Sequence, residues 1–277
     1  MEFYRSGVKK AFLLAAGLGK RLRPFTDNKP KCLIEVGDKS MLEHWLDKLN
    51  RLGIDDILVS LHHHGEMVEQ YLKENYHGKA AVHIVHEKEL LGTGGTLKAN
   101  YDFVSGSGPF IIAYADNFTT MDLSRIAAFH LQTPGILTMG LFETNNSRGC
   151  GIVDVSDNCR ILAYKEKPAD PVSNLANAGI YVAEEEIYDY FPDRSFFDLG
   201  YDVLSNLIGK MFGYRIWDYY IDIGTPENLK KAREYADSHR LSTGKYAPAR
   251  QCGFPRSIRT VNTRFEYEEE EIPICKS

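Results

Sequence analysis

The first half of the chain alternates short apolar runs with helical patterns. The apolar runs predict strands over Ala11–Ala16, Asp56–Leu61, Ala80–Val85 and Phe110–Tyr114. Between them, apolar residues at helical spacing predict helices over Met41–Leu52, Glu66–Tyr76 and Gly94–Tyr101. This alternation is typical of an α/β fold with a parallel sheet and helices on both faces. In such sheets, ligands bind at the carboxyl ends of the strands.

The pattern changes after about residue 140. Short strands without long helices between them are predicted over Gly151–Val155, Arg160–Tyr164 and Ala178–Val182. They indicate a small added β region that closes over a second ligand. Helices are expected over Tyr201–Lys210 and Pro226–His239, the latter with proline in its first turn. We expect one main domain over residues 1–241.

The tail over residues 242–277 contains the acidic run Glu268–Glu271. Two interpretations stay open for it, a contact in a homo-oligomer or a partly disordered end.

Composition restricts the partners of this chain of 277 residues. Its formal net charge of −5 argues against sequence-independent binding of nucleic acid, which needs a basic face. No apolar run approaches the ~20 residues of a membrane span, and Met1–Lys9 lacks the apolar core of a signal peptide. We therefore expect a cytoplasmic protein with no membrane partner.

The stretch after the first strand is typical of an anion-binding loop. The apolar run ends at Gly17 and Gly19, and a segment rich in Lys and Arg follows up to Lys31. Glycines let the backbone approach a ligand closely, free N–H groups form an anion nest, and Lys and Arg add charged donors. A phosphate-rich ligand is the natural occupant.

Five motifs in order resemble those of the sugar-1-phosphate nucleotidyltransferases. They are Gly17-x-Gly19-x-Arg21-Leu22-x-Pro24-x-Thr26 with Lys29-Pro30-Lys31, then Leu91-Gly92-Thr93-Gly94-Gly95, Asp116, Glu166-Lys167-Pro168 and Asp222-Ile223-Gly224-Thr225-Pro226. Together they cover roughly residues 9–240. The resemblance implies a Rossmann-like three-layer α/β/α nucleotidyltransferase fold. It also implies in-line attack of a sugar-1-phosphate oxygen on the α-phosphate of a nucleoside triphosphate, with release of pyrophosphate.

The resemblance assigns the first two motifs to the nucleotide. Arg21 would lie on the leaving pyrophosphate and Lys31 near the reacting phosphates. The complete set of implied nucleotide-binding residues is Leu14, Ala16, Gly17, Gly19, Lys20, Arg21, Lys31, Gly92, Thr93 and Gly94. The glycines after Leu91 would let the backbone lie against the nucleobase.

Two aspartates are the implied metal ligands. Asp116 follows an apolar strand, and Asp222 precedes a helix-opening Thr-Pro-Glu segment. The resemblance implies that both bind one Mg²⁺, an ion that takes hard oxygen ligands and few of them from protein. General base catalysis by Asp116 is less attractive because a sugar phosphate is already deprotonated.

The remaining motifs are assigned to the acceptor. By resemblance Lys167 grips the phosphate of the sugar phosphate and Glu166 binds sugar hydroxyls. Asn177 and Gly179 would line the same pocket, and Gly151 would offer backbone contacts. The implied catalytic residues are Arg21, Lys31, Asp116 and Lys167.

The substrates are less constrained. The Leu91–Gly95 form is similar to that of guanylyltransferases acting on mannose-1-phosphate or manno-heptose-1-phosphate, which favours GTP over UTP, CTP and dTTP. Ala115-Asp116-Asn117 also occurs in choline-phosphate-type cytidylyltransferases, so a cytidylyltransferase for a sugar or non-sugar phosphate stays open. Lys20 and Cys32 depart from the residues usual in the family. A third possibility is a catalytically idle regulator that binds nucleotide sugars.

Overall fold

A computed structural model of the protein describes residues 7–239. Its strands are β1 (Lys10–Leu14), β2 (Glu35–Val36), β3 (Lys39–Ser40), β4 (Asp56–Leu61), β5 (Ala81–His86), β6 (Phe110–Tyr114), β7 (Asn117–Thr119), β8 (Leu137–Glu143), β9 (Gly151–Val155), β10 (Ile161–Glu166), β11 (Leu175–Ala183), β12 (Met211–Arg215) and β13 (Tyr220–Asp222). Its α-helices are α1 (Met41–Leu52), α2 (Gly65–Asn75), α3 (Gly92–Ala99), α4 (Leu123–Leu131) and α5 (Pro226–Ser238).

Nine of the strands form one sheet in the order β10-β9-β11-β6-β1-β4-β5, with β8 pairing β11 and β12. Strand β1 is parallel to both β4 and β6, and β4 is parallel to β5, as predicted. Leu14 at the end of β1 lies opposite Tyr114 at the end of β6. The segments that follow these two strands therefore leave the sheet side by side.

The central strand explains the two-sided core. Phe12 and Leu13 are both fully buried, and consecutive residues of a strand point to opposite faces. Leu13 packs in the cluster that contains Trp45 of α1, whereas Phe12 packs in the cluster that contains Leu97 of α3. Helices therefore cover both faces of the sheet, which confirms the predicted fold class.

Helix α1 has strong local start and stop signals. Ser40 and Glu43 form a reciprocal capping box at its beginning, and Gly53 follows its end in the left-handed conformation with φ of 84°. Such signals fix helix ends independently of the tertiary structure, which is why the bounds predicted for this helix are correct.

One expectation for the second half is wrong in detail. The segment Tyr201–Lys210 is not an α-helix, because a π-helical turn at Leu199–Val203 leads into a 3-10 turn at Leu204–Leu207. The residues before this segment are hydrogen-bonded to the beginning of α3, among them Phe197, whose N–H donates to the Leu91 carbonyl. The strands β9, β10 and β11, which correspond to the expected added β region, continue the main sheet on the side of β6.

Within residues 7–239, no helix has the length and apolar character needed to cross a bilayer. The predicted tail over residues 242–277 lies outside the described residues.

Candidate active site

The loop after β1 is closed on itself. Gly19 has φ of 62°, and a Cβ there would lie 2.8 Å from Cγ2 of Thr26. The Thr26 hydroxyl donates to the carbonyl of Gly19 at 2.8 Å, and the Leu22 N–H donates to the same oxygen at 2.9 Å. Gly19 is therefore required by the fold of the loop itself.

The rest of this loop is more open. A Cβ on Gly17 would meet no atom within 4 Å, so packing within residues 7–239 does not explain this glycine. Leu14 ends β1, Ala16 lies two residues beyond it, and Lys20 is exposed at the start of a 3-10 turn. The predicted phosphate-binding residues thus follow the carboxyl end of the central strand.

Lys31, Asp116 and Asp222 form a charged cluster. The Lys31 ammonium contacts Oδ2 of Asp116 directly and lies 3.5 Å from Oδ1 of Asp222. Nη2 of Arg21 lies 3.8 Å from Oδ2 of Asp222. Only 10% of the Lys31 side chain is exposed, so this cation is held between the two carboxylates rather than in solvent.

Strand pairing brings the two aspartates together. Asp116 follows β6, and β13 pairs antiparallel with β7 so that Asp222 lies opposite Asn117. The Ile223 N–H donates to the carbonyl of Asp116 at 3.0 Å. The two carboxylates are therefore positioned by backbone hydrogen bonds.

The residues after Asp222 orient its carboxylate. The Gly224 N–H donates to Oδ1 of Asp222 at 2.7 Å, and the Asn228 amide of α5 donates to the Asp222 carbonyl at 2.8 Å. A Cβ on Gly224 would lie 2.8 Å from that Oδ1 and 3.0 Å from Nη2 of Arg21. A side chain at position 224 would therefore displace the carboxylate or the guanidinium.

Electrostatics in the cluster favour a cation. Burial alone lowers the pKa of Lys31, but the carboxylates of Asp116 and Asp222 outweigh it, so the pKa is raised above its ordinary value. Burial and then the charge of Asp116 raise the pKa of Asp222, against the opposing effect of Lys31. The pair of carboxylates is thus stabilised by positive charge placed between them.

The same donor set suits a divalent ion. No group of three or more His, Cys, Asp or Glu side chains in the described part of the chain is arranged to hold a metal. Asp116 and Asp222 together offer two carboxylates, a number that would fit Mg²⁺ because this ion keeps several water or phosphate ligands.

Glu166 and Lys167 form a second cluster at the end of β10. The Tyr164 hydroxyl donates to Oε2 of Glu166, and a Cβ on Gly151 or Gly200 would lie 2.6 Å or 2.8 Å from the same oxygen. The carboxylate is therefore enclosed on three sides, which fixes its orientation.

The Lys167 backbone is held in an unusual conformation. Its φ is 44°, and its N–H donates to the carbonyl of Cys150 at 3.0 Å. The ammonium lies 3.7 Å from Oε1 of Glu166 and 5.3 Å from the centre of the Tyr201 ring. A non-glycine residue with positive φ costs about 1–3 kcal/mol, and such residues cluster at active sites and ligand-binding sites.

Asn177 and Gly179 lie at an irregularity in β11. The Asn177 amide donates to the Tyr181 hydroxyl at 2.7 Å, and the Gly179 N–H donates to Oδ1 of Asn177 at 2.9 Å. Gly179 has φ of 63°, and a Cβ there would lie 2.5 Å from the Tyr114 ring. Burial raises the pKa of Tyr114 to about 12, so its phenol stays a neutral hydrogen-bonding group.

The Leu91–Gly95 glycines have a packing role that the sequence did not predict. The N–H groups of Gly94 and Gly95 donate to the carbonyl of Phe197 at 3.0 and 3.1 Å. The Thr93 N–H donates to Oδ1 of Asp198 at 3.1 Å. The beginning of α3 is thus occupied by a carboxylate and a carbonyl of the protein itself.

Sequence reasoning missed several residues next to these clusters. They are Tyr114, Tyr164, Tyr181, Asp198, Gly200 and Tyr201. Tyr164 could have been found, because residues two apart on a strand share a face and Tyr164 precedes Glu166 by two. No sequence signal identifies Asp198, whose partner Thr93 is 105 residues away.

The fold defines an α/β protein with these clusters near the carboxyl edge of its sheet, where proteins of this class bind their ligands. The family model described as nucleotidyl transferase matches residues 10–238. The chain belongs to this family, which confirms the resemblance identified from the motifs.

Individual relatives cover most of the chain. It is 31% identical over 227 residues to a D-glycero-α-D-manno-heptose 1-phosphate guanylyltransferase of Aneurinibacillus thermoaerophilus, covering 81% of this chain and 97% of that protein. It is 32% identical to a UTP–glucose-1-phosphate uridylyltransferase of Synechocystis, covering 78% of this chain and 60% of that protein.

A solved structure supports the fold. HddC from Yersinia pseudotuberculosis, which has also been solved in complex with GMP-PN, superposes with a TM-score of 0.70 at 24% identity. The match covers 82% of this chain and 99% of HddC.

Proposed function

We propose that this chain is a cytoplasmic, Mg²⁺-dependent enzyme that transfers a nucleotide from GTP to a sugar-1-phosphate and releases pyrophosphate. The observation that carries the proposal is the pair Asp116 and Asp222, bridged by Lys31 and flanked by Arg21 of the glycine loop.

The side chains have complementary roles in this reaction. Arg21 and Lys31 would bind the phosphates of the nucleotide and neutralise the charge of the leaving pyrophosphate. Lys167 would bind the acceptor phosphate, and Glu166, fixed by Tyr164, would orient the sugar through its hydroxyls. Holding both reactants in line supplies much of the rate enhancement in such transfers, because the protein has little covalent chemistry to perform.

Asp116 and Asp222 would hold the magnesium ion. A Mg²⁺ ion held there would supply positive charge that offsets the charge of the phosphate groups. The Lys31 ammonium contacts both carboxylates and would offset the negative charge that the metal ion leaves uncompensated.

Two lines support GTP and a manno-configured acceptor. The Leu91-Gly92-Thr93-Gly94-Gly95 sequence is similar to that of guanylyltransferases, and one relative is named a heptose 1-phosphate guanylyltransferase. The relative named as a uridylyltransferase makes UTP with glucose-1-phosphate the second candidate pair.

A matrix of substrates tests the proposal. GTP, UTP, CTP and dTTP would each be incubated with mannose-1-phosphate, D-glycero-α-D-manno-heptose 1-phosphate, glucose-1-phosphate or phosphocholine, with Mg²⁺ or with EDTA. Pyrophosphate release and the mass of the product would be measured, with the Asp116→Asn variant as the blank. We expect the highest rate with GTP and a manno-configured acceptor, and none with EDTA.

Two other outcomes would contradict the proposal. A CDP product from phosphocholine would replace the proposed acceptor, and pyrophosphate release from none of the sixteen pairs would favour a nucleotide-sugar-binding regulator.

A further inference from the structure

The segment from Ser195 to Tyr201 is tied to the beginning of α3. The Phe197 N–H donates to the carbonyl of Leu91 at 3.1 Å, and the Phe197 carbonyl accepts from Gly94 and Gly95. The glycines of α3 make this approach possible, because a Cβ on Gly92 would lie 2.5 Å from the Phe197 carbonyl oxygen. A Cβ on Gly95 would overlap the carbonyl of Ser195.

Asp198 and Thr93 form the central link. Oδ1 of Asp198 accepts from the Thr93 N–H at 3.1 Å and from the Thr93 hydroxyl at 3.2 Å. The Thr93 oxygen in turn accepts from the Leu199 N–H at 2.9 Å. A carboxylate that accepts from backbone N–H groups at a helix start is a strong, directional contact.

The other end of the same segment contacts the acceptor cluster. Gly200 lies against Glu166, since a Cβ there would be 2.8 Å from Oε2 and 3.1 Å from the Tyr164 hydroxyl. The Tyr201 ring, 57% exposed, lies beside the Lys167 ammonium at 5.3 Å. Only two residues separate Asp198 from Tyr201, so a shift at Asp198 is transmitted to both contacts.

We propose that Asp198 is a positioning residue. Through its hydrogen bonds to Thr93, it fixes the positions of Glu166 and Lys167 relative to the Leu91–Gly95 segment at the start of α3. This inference rests on the proposed function and extends it. Asp198 has no assigned contact with either substrate. Its role is to fix the distance between the Glu166–Lys167 cluster and the Leu91–Gly95 segment. A displacement of 1 Å in such an arrangement can cost about a hundredfold in rate.

Substitutions at Asp198 test this role. Asp198→Ala removes both hydrogen bonds to Thr93, whereas Asp198→Asn keeps an Oδ1 that can accept them. With the best substrate pair of the matrix above, we expect Asp198→Ala to raise KM for the acceptor about tenfold and to lower kcat. KM for the nucleotide should change less than about twofold, and Asp198→Asn should restore most of the activity.

The matched control is Tyr188→Phe. It removes one hydrogen bond, at 3.1 Å, from the Tyr188 hydroxyl to the Leu97 carbonyl of α3, and this bond does not touch the Ser195–Tyr201 segment. We expect its acceptor KM to equal that of the wild type. If Asp198→Ala does not fold, Asp198→Glu replaces it, because it keeps a carboxylate but displaces it by one methylene group from Thr93.

Hydrogen exchange adds a readout that needs no turnover. In Asp198→Ala, the amides of residues 166–167 and 199–203 should exchange faster than in the wild type and in Tyr188→Phe. Acceleration confined to α3, or an Asp198→Ala enzyme with a lower Tm but an unchanged acceptor KM, would overturn the inference. If the wild type releases no pyrophosphate with any pair, the proposed function fails, and the exchange result alone decides on the positioning link.

Discussion

At the scale of single residues, the candidate site holds charged side chains of opposite sign close together. Asp116 and Asp222 would repel each other without Lys31, and the side chain of Lys31 is nearly buried between them. A cluster of this kind can cost stability where function needs it. The two aspartates therefore give the most direct predictions.

Asp116→Asn and Asp222→Asn should each lower kcat by at least about a thousandfold, because each removes a carboxylate that would hold the metal. The far-ultraviolet circular dichroism should be unchanged. Asp55→Asn is the matched control, since Asp55 pairs with Lys9 at 3.3 Å and precedes β4, at the opposite edge of the sheet. Turnover within a fewfold of the wild type in either site variant would contradict the metal assignment.

The raised pKa of Asp222 gives a pH-dependent prediction. A carboxyl group whose pKa is raised in the folded state destabilises the fold when it is ionised. This destabilisation decreases as the pH falls toward 3.8, the ordinary pKa of an aspartate. Asp222→Asn should therefore raise Tm at pH 7 in EDTA by roughly 1–2 °C, because the partly exposed side chain screens the effect. The difference should shrink as pH approaches 4. A lower Tm for the variant at pH 7 would show that the ion pairs with Lys31 and Arg21 dominate.

At the scale of elements, α3 shows how packing overrides local propensity. Alanine favours a helix by about 1 kcal/mol over glycine, yet Gly95→Ala places a methyl group on the carbonyl of Ser195. We expect a net loss of about 1–3 kcal/mol, measured by urea unfolding. Gly17→Ala is the contrast, since a Cβ there meets nothing within 4 Å. It should leave the unfolding free energy unchanged and raise KM for the nucleotide if phosphates approach this backbone.

The elements also show what the sequence could predict. The spacing of apolar residues predicted the strands and helices of the parallel half of the sheet. The predicted bounds of α1 were correct because its capping box and Gly53 are local signals. The strands β8 and β12 and the helix α4 were missed. In β8, residues Leu137 to Leu141 are all buried, so no alternation marks a strand.

The candidate site, like the fold, could be predicted from the sequence only in part. The motif positions were recognisable one by one, but their geometry depends on contacts between distant residues. The bond between Asp198 and Thr93 and the π-helical turn at Leu199–Val203 arise from such contacts, and no local pattern encodes them. Sequence reasoning therefore identified groups that carry the proposed chemistry more readily than the groups that position them.

At the scale of the whole molecule, the predicted site residues all lie between Leu14 and Asp222. Helix α5 closes the described structure and packs Leu229 and Ala232 against Ile223 and Phe118. A chain shortened to residues 1–241 should therefore keep its activity within about twofold, measured by pyrophosphate release. Light scattering of both forms would show whether residues 242–277 make an oligomer contact. A tenfold loss of activity in the shortened chain would place part of the site in that tail.

The close approach of the Ser195–Tyr201 segment to α3 also has a consequence for evolution and engineering. The two stretches lie about a hundred positions apart in the chain, yet a methyl group added to one must be accommodated by the other. Substitutions at Gly92, Gly94 or Gly95 should therefore co-vary with those at residues 195–199 among relatives. A chimera that imports the acceptor-side segment of another family member would have to import the start of its α3 as well.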